Sequence, residues 1–229
     1  MSEALFDLSG KTALVSGASR GIGEAIARLL AAHGARVVCT SRRREGCEAV
    51  AESIRADGGQ ASALAMHVGD TAAIESAFAA LDADGLAPDI LVNNAAANPY
   101  FGPMLDQDLA SFEKTVEVNL RGYFWSSVQA ARRMRTRGGG CIVNLTEGFA
   151  KELAADGIRV NAVLPGLTDT KFASALTSNP KILGMMMQLT PLNRVAQPAE
   201  IAPAVLFLCS AASSYVTGSV ITADGGYLA

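Results

Sequence analysis

The sequence is short of the residues from which most metal and hydrolytic sites are built. It holds two histidines, His33 and His67, so a histidine-based zinc site or a Ser-His-Asp triad has almost no raw material, and no metal is expected. Its four cysteines, Cys39, Cys47, Cys141 and Cys209, show no Cys-x-x-Cys spacing, and two fall inside predicted strands. Buried free thiols fit that pattern better than disulfides. No apolar run reaches the ~20 residues of a membrane span. Basic residues are not in excess: the net charge is -3, and the one cluster, Arg42 to Arg44, is too short for a nucleic-acid face. The opening MSEALFDLSGK lacks a basic region followed by an apolar core, so no signal peptide is evident and a soluble, cytoplasmic protein is expected.

What is present is an apolar chain of regular rhythm. Half of the 229 residues are hydrophobic and 18% charged, as expected of a sheet buried on both faces within one domain, residues 1–229. Predicted strands at 12–16, 36–40, 61–68, 90–93, 141–145, 158–164 and 219–223 are separated by predicted helices at 21–33, 45–57, 71–81, 109–137, 149–155 and 199–209. Strands separated by helices imply right-handed βαβ units, hence an α/β, doubly wound parallel sheet. Residues 168–197, rich in Met, Pro, Thr and Asn, form no regular unit and are expected to be a partly helical flap. The connection Thr146 to Gly157 is at the lower limit for a parallel crossover, which usually takes a dozen or more residues.

Between the first strand and first helix lies SGASRGIG, with Gly17, Gly21 and Gly23 spaced for a tight turn and close backbone approach to a pyrophosphate. Gly17, Ser19, Arg20, Gly21, Ile22 and Gly23 are therefore candidates for a phosphate cradle at a helix N-terminus, in a Rossmann fold. The second strand ends Cys39-Thr40-Ser41-Arg42-Arg43, without the carboxylate that would hydrogen-bond the ribose 2'-hydroxyl of NAD. Ser41 can donate to a 2'-phosphate and Arg42 can form a charge-assisted bond to it, with Arg20 as a second cation, so NADP(H) is favoured over NAD(H).

The chain resembles the short-chain dehydrogenase/reductase family over nearly its whole length. SGASRGIG stands for T-G-x-x-x-G-x-G, and NNAA at Asn93 to Ala96 for N-N-A-G. VNLRG around Asn119, IVN at Ile142 to Asn144, IRVNAVLPG at Ile158 to Gly166 and ITADGG at Ile221 to Gly226 follow in the family's order. The resemblance implies hydride transfer between a nicotinamide and a small carbonyl or alcohol substrate, and a homo-oligomer. By the same resemblance Asn93 and Ala95 support the adenine-side ribose and fourth strand, and Val68 contacts adenine. Pro165, Gly166 and Thr170 hold the nicotinamide end, and Asn119 anchors a proton-relay water through a helix irregularity. His67 stands where an aspartate often precedes that valine, which bears on adenine recognition.

The largest departure is chemical. The family protonates the carbonyl oxygen with a tyrosine, aided by a lysine four residues later and a serine just past I-V-N. Here I-V-N runs through Leu145, Thr146, Glu147 and Gly148 straight into FAKEL, as though a segment near 147–149 were deleted, and no Tyr-x-x-x-Lys occurs anywhere. Tyr100 and Tyr123 remain as substitute acids, with packing the simpler role for each, while Lys151 following Glu147 by four suggests a solvated helical pair. Ala96 to Phe101 and Met185 to Met187 suggest a pocket for a moderately apolar ketone or alcohol. Three readings stay open: an NADP(H)-dependent oxidoreductase whose polypeptide carries more residues at this junction, a dinucleotide-binding protein impaired in catalysis, and, with less support, an enzyme using Tyr100 or Tyr123 as a substitute acid.

Overall fold

The central strands are apolar on both faces, which is why they lie inside. Thr12–Ser16 (β1) and Ile90–Asn93 (β4) are buried at every position. In a computed structural model describing residues 2–144 and 150–229, they form the middle of a seven-stranded sheet ordered β3-β2-β1-β4-β5-β6-β7, every pairing parallel. A short helix, Ser2–Leu5 (α1), precedes β1. Gly21–Ala32 (α2), Arg36–Ser41 (β2), Arg44–Ala56 (α3), Gln60–Ala65 (β3) and Thr71–Ala83 (α4) follow β1. After β4 come Leu109–Val116 (α5), a π-helical segment Glu117–Gly122, Tyr123–Thr136 (α6), Gly140–Asn144 (β5), Ala150–Leu153 (α7) and Ile158–Pro165 (β6). Ser174–Thr177 (α8), Pro180–Leu189 (α9), Pro198–Cys209 (α10) and Val220–Ala223 (β7) complete the order.

Alternation along the strands divides the core into two layers. Ala13 and Val15 join Ile26 and Leu30 of α2 and Val205 and Leu208 of α10 on one face. Leu14 between them packs with Phe78 of α4 and Met134 of α6 on the other. All four cysteines are buried free thiols.

Two sequence expectations change and one holds. The third strand ends at Ala65 rather than Val68: Met66 N–H donating to Ser41 O is the last bond of its ladder, after which the chain turns towards α4. The helix expected over 109–137 is broken by the π-helical turn Glu117–Gly122, an irregularity that the family resemblance implied at Asn119 and that the apolar spacing alone did not locate. The short crossover does return to a parallel neighbour, since Gly140 pairs with Ile158 and Asn144 with Ala162. Its described part is α7 and the 3-10 turn Ala154–Asp156, closed by Gly157 at φ +72° and anchored by buried Leu153. The apparent deletion near 147–149, with Thr146 and Glu147, lies outside the described residues.

The flap leaves the sheet after Pro165 and contains α8 and α9. Its two ends are tied: Asp169 N–H donates to Ala196 O at 2.8 Å, Ala196 N–H donates to Leu167 O at 3.0 Å, and Thr168 bridges Ala196.

Candidate active site

The strand order reverses between β1 and β4, and an open α/β sheet offers a crevice at the carboxyl ends of such a pair. The crevice is fastened by side chains. Ser16 Oγ accepts from the N–H groups of Asn94 (3.0 Å) and Ala95 (3.1 Å), while Asn94 Nδ2 donates back to Ser16 O at 2.8 Å. Gly17 then turns at φ +68°, and a methyl group there would stand 2.9 Å from both Ala95 Cα and Asn94 Nδ2. One on Gly23 would overlap Gly17 O and Asn94 Nδ2 outright. Gly21, at φ +61°, opens α2 with Thr170 Cγ2 3.3 Å from where its Cβ would be. No side chain caps this helix, so its first N–H groups and partial positive charge face the crevice. The glycines leave room for a phosphate between loop and flap, which is the cradle a dinucleotide requires.

Above the loop opens a cavity of about 630 Å³. Thirteen of the fourteen residues assigned to cofactor binding from the sequence line it: Gly17, Ser19, Arg20, Gly21, Ile22, Gly23, Ser41, Arg42, Val68, Ala95, Pro165, Gly166 and Thr170. Among the described residues, neither aspartate nor glutamate does. The Ser41 hydroxyl donates to Arg43 O at 2.6 Å, which fixes the turn presenting Arg42. His67 is not in the wall; its Nδ1 accepts from Gly69 N–H at 3.0 Å, so its ring holds the turn beneath Val68. Gly122, in the π-helical turn, lies where any Cβ would strike Val68 O, so the helix braces this wall at backbone contact.

The fourteenth residue, Asn93, sits below the cavity. It is fully buried, its Nδ2 donating to Asn144 Oδ1 (2.8 Å) and Ser127 Oγ (3.0 Å), so it ties β4 to β5 and α6. Among the described residues its Oδ1 has no partner. The neighbouring Asn94 is the one that lines the cavity, and the sequence reading missed it. Asn119 lies in the π-helical turn and is likewise outside the cavity wall. Both ends of its amide hold one residue: Oδ1 accepts from Ala97 N–H and Nδ2 donates to Ala97 O, each at 2.9 Å. Asn119 thereby fixes the strand-to-helix loop that carries Asn98 and Phe101 into the cavity.

Neither candidate substitute acid reaches that space. Tyr123 is 7% exposed, and burial pushes its phenol above the usual tyrosine range. The Tyr100 hydroxyl donates to Pro103 O at 2.8 Å and faces an adjoining hollow shared with Gln107, Phe112 and Thr115. Tyr215 is fully exposed, whereas Tyr227 lines the main cavity beside Thr190 and Met186. Lys171 lines it too, and neither residue carried a motif that would have singled it out. Of the flap methionines only Met186 is in the wall; Met185 is 60% exposed.

Residues 11–147 match the short chain dehydrogenase family, and residues 144–228 match a family described as enoyl-(acyl carrier protein) reductase. The two matches meet at the junction that lacks Tyr-x-x-x-Lys. A galactitol 2-dehydrogenase (L-tagatose-forming) of Cereibacter sphaeroides is 34% identical over 250 aligned positions, spanning 97% of each chain. That alignment is at least 21 positions longer than the 229 residues here, so the relative has residues with no counterpart in this chain. A gluconate 5-dehydrogenase of Burkholderia cenocepacia, solved with NADP and tartrate, superposes with a TM-score of 0.95 at 31% identity, over 100% of this chain and 99% of the other. A 7α-hydroxysteroid dehydrogenase solved with NADH and 7-oxo glycochenodeoxycholic acid superposes with a TM-score of 0.90 at 32% identity, over 99% and 97%.

Proposed function

Because this chain belongs to the short-chain dehydrogenase/reductase family, we propose that it is an NADP(H)-dependent oxidoreductase acting on a ketone or the matching secondary alcohol. The observation that carries this reading is the cavity, which gathers thirteen of the dinucleotide candidates and, among the described residues, presents Arg20 from the glycine loop and Arg42 from the turn after β2 with no carboxylate. A bound nicotinamide would supply or accept the hydride. The glycine loop and the α2 N-terminus would hold the pyrophosphate, and Arg42 and Arg20 the 2'-phosphate, while Ser41, expected to donate to that phosphate, gives its hydroxyl hydrogen to Arg43 O and shapes the turn instead. Val68 would flank the adenine, and Pro165, Gly166 and Thr170 would border the nicotinamide. Asn119 acts as a positioning residue through Ala97. Because the relatives include structures with NADP and with NADH, the preference for NADP(H) rests on the charge beyond β2.

A second reading has its own support, a dinucleotide-binding protein impaired in catalysis. Tyr-x-x-x-Lys is absent, Tyr123 is buried and the Tyr100 hydroxyl is engaged with Pro103. Loss of general acid catalysis alone lowers rates ~10²-fold or more. Intact mass and turnover separate the two: 23.7 kDa with carbonyl reduction ~10²-fold below an intact relative supports impairment. A heavier chain with ordinary turnover supports the enzyme. Fluorescence titration with NADPH and NADH tests the cofactor, and equal affinities, or none, refute the NADP(H) assignment.

A homo-oligomer in the cytoplasm completes the proposal. Leu109, Phe112, Leu120 and Phe124 form an exposed apolar stripe along α5, the π turn and α6, of the kind that association covers. Light scattering tests it, with a monomer at micromolar concentration as the contrary result. Among the described residues no helix is long and apolar enough to cross a membrane.

A further inference from the structure

The geometry points to a carboxylate-bearing substrate, a hydroxy or oxo acid, recognised by Lys171. The inference rests on the oxidoreductase reading of the cavity and names the substrate class of that site. The protein carries net charge -3, yet among the described residues the cavity wall holds three cations and no carboxylate, a balance that favours an anionic ligand. Two of the cations, Arg20 and Arg42, belong to the glycine loop and the turn after β2, where a 2'-phosphate would occupy them. The pyrophosphate has the glycine loop and the free N–H groups of α2. Lys171 stands apart from these, on the flap.

Its surroundings match one substrate chemistry. Among the described residues no carboxylate pairs with the Lys171 ammonium, and neighbouring Asp169 forms no ion pair with it. Among the described residues the wall near the flap is otherwise uncharged: Phe172, Leu176 and Met186 of the flap supply apolar surface, and Tyr227 of the tail and Asn98 of the loop after β4 supply hydroxyl and amide groups. One cation beside hydrogen-bonding groups that can serve alcohol oxygens is complementary to a short chain bearing one carboxylate and several hydroxyls. A neutral polyol would satisfy the hydroxyl and amide groups and leave the ammonium unmatched. Because Lys171 is exposed, the pair is worth a modest preference, roughly fivefold in affinity.

The test measures ternary binding on the NADPH-loaded protein by NADPH fluorescence, using two matched pairs of probes, D-gluconate against D-glucitol and D-threonate against D-threitol. The acid of each pair is expected to bind roughly fivefold more tightly than the alcohol. Lys171→Met should abolish that preference and Lys171→Arg should keep it, with NADPH affinity the same in all three proteins. No preference in the wild type, or a preference that survives Lys171→Met, overturns the assignment. So does a Lys171→Met protein that loses NADPH affinity, because the lysine would then hold the pyrophosphate. A protein that binds NADPH in none of these forms sinks the oxidoreductase reading as well, whereas NADPH binding without acid preference refutes only the role of Lys171.

Discussion

Gly17→Ala isolates what close backbone approach contributes at the strand switch, because the molecule contains a matched control. Gly17 and Gly85 have nearly the same backbone, φ +68° and +67°. A methyl group on Gly85 would meet nothing within 4 Å, while one on Gly17 would lie 2.9 Å from Ala95 Cα and from Asn94 Nδ2. The left-handed conformation alone penalises a Cβ by about 1–2 kcal/mol, and Gly85→Ala should lose that much with NADPH affinity unchanged. Gly17→Ala carries the same penalty plus about 1–3 kcal/mol for forcing β4 away from the loop, giving about 2–5 kcal/mol in all. A domain stable by about 5–15 kcal/mol remains folded at the lower end of that range. Moving Ala95 and Asn94 also breaks the Ser16 clasp, so NADPH affinity should fall tenfold or more. Urea unfolding gives the stability of each variant, and NADPH fluorescence gives binding. Equal destabilisation of the two variants, with wild-type NADPH affinity in both, would refute the claim that this loop needs glycine for proximity.

Arg42→Ala should weaken NADPH about 10–100-fold through loss of a charge-assisted bond and leave NADH affinity nearly unchanged, with the difference shrinking at high salt. Fluorescence titration decides it, and parallel loss for both cofactors would place Arg42 elsewhere. Asn119→Ala removes both bonds to Ala97 and should destabilise by about 1–3 kcal/mol while speeding amide exchange over 97–101. Unchanged exchange there would mean the loop holds itself. Burial pushes the Cys39 thiol up to about 12 from its ordinary value of 9.0. The unfolded chain therefore loses this proton first, so the contribution is whole below pH 9 and is lost as pH rises towards 12. It amounts to about 4 kcal/mol at most. Cys39→Ala should flatten the alkaline limb of stability against pH, and superimposable limbs would contradict the burial argument.

Much of the scaffold was legible because each layer left its own trace. Apolar runs marked the central strands, and three spaced glycines marked the loop that a dinucleotide needs. The turn Ser41-Arg42 could be placed because its charge follows a strand end. Other features leave no such trace. Asn93 and Asn94 are adjacent and chemically identical, and only the geometry of the strand end decides which one enters the core and which one clasps Ser16. The π-helical turn was implied only by the family resemblance at Asn119, since the apolar spacing over 109–137 did not locate it. Helix α9 did announce itself: Asn179 caps it by accepting from the N–H groups of Lys181 and Ile182, and Pro180 follows as its first residue. That signal lay inside a stretch otherwise read as irregular. Lys171 and Tyr227 are 56 positions apart in sequence, and folding alone brings them to one wall.

The tied neck of the flap makes this part of the chain transplantable. Both ends are fixed to each other at Leu167, Thr168, Asp169 and Ala196, so another family member's lid grafted between these positions would meet an anchorage that does not depend on its contents. Such a graft has a second seam to respect, since Leu192 N–H donates to Gly225 O at 3.1 Å and ties the lid to the tail bearing Tyr227. A chimera that exchanges lid and tail together but keeps Thr170, which packs against Gly21, should change which molecule is accepted while leaving the nucleotide half of the cavity intact. In that sense the fold keeps its choice of substrate on a cartridge separate from its choice of coenzyme.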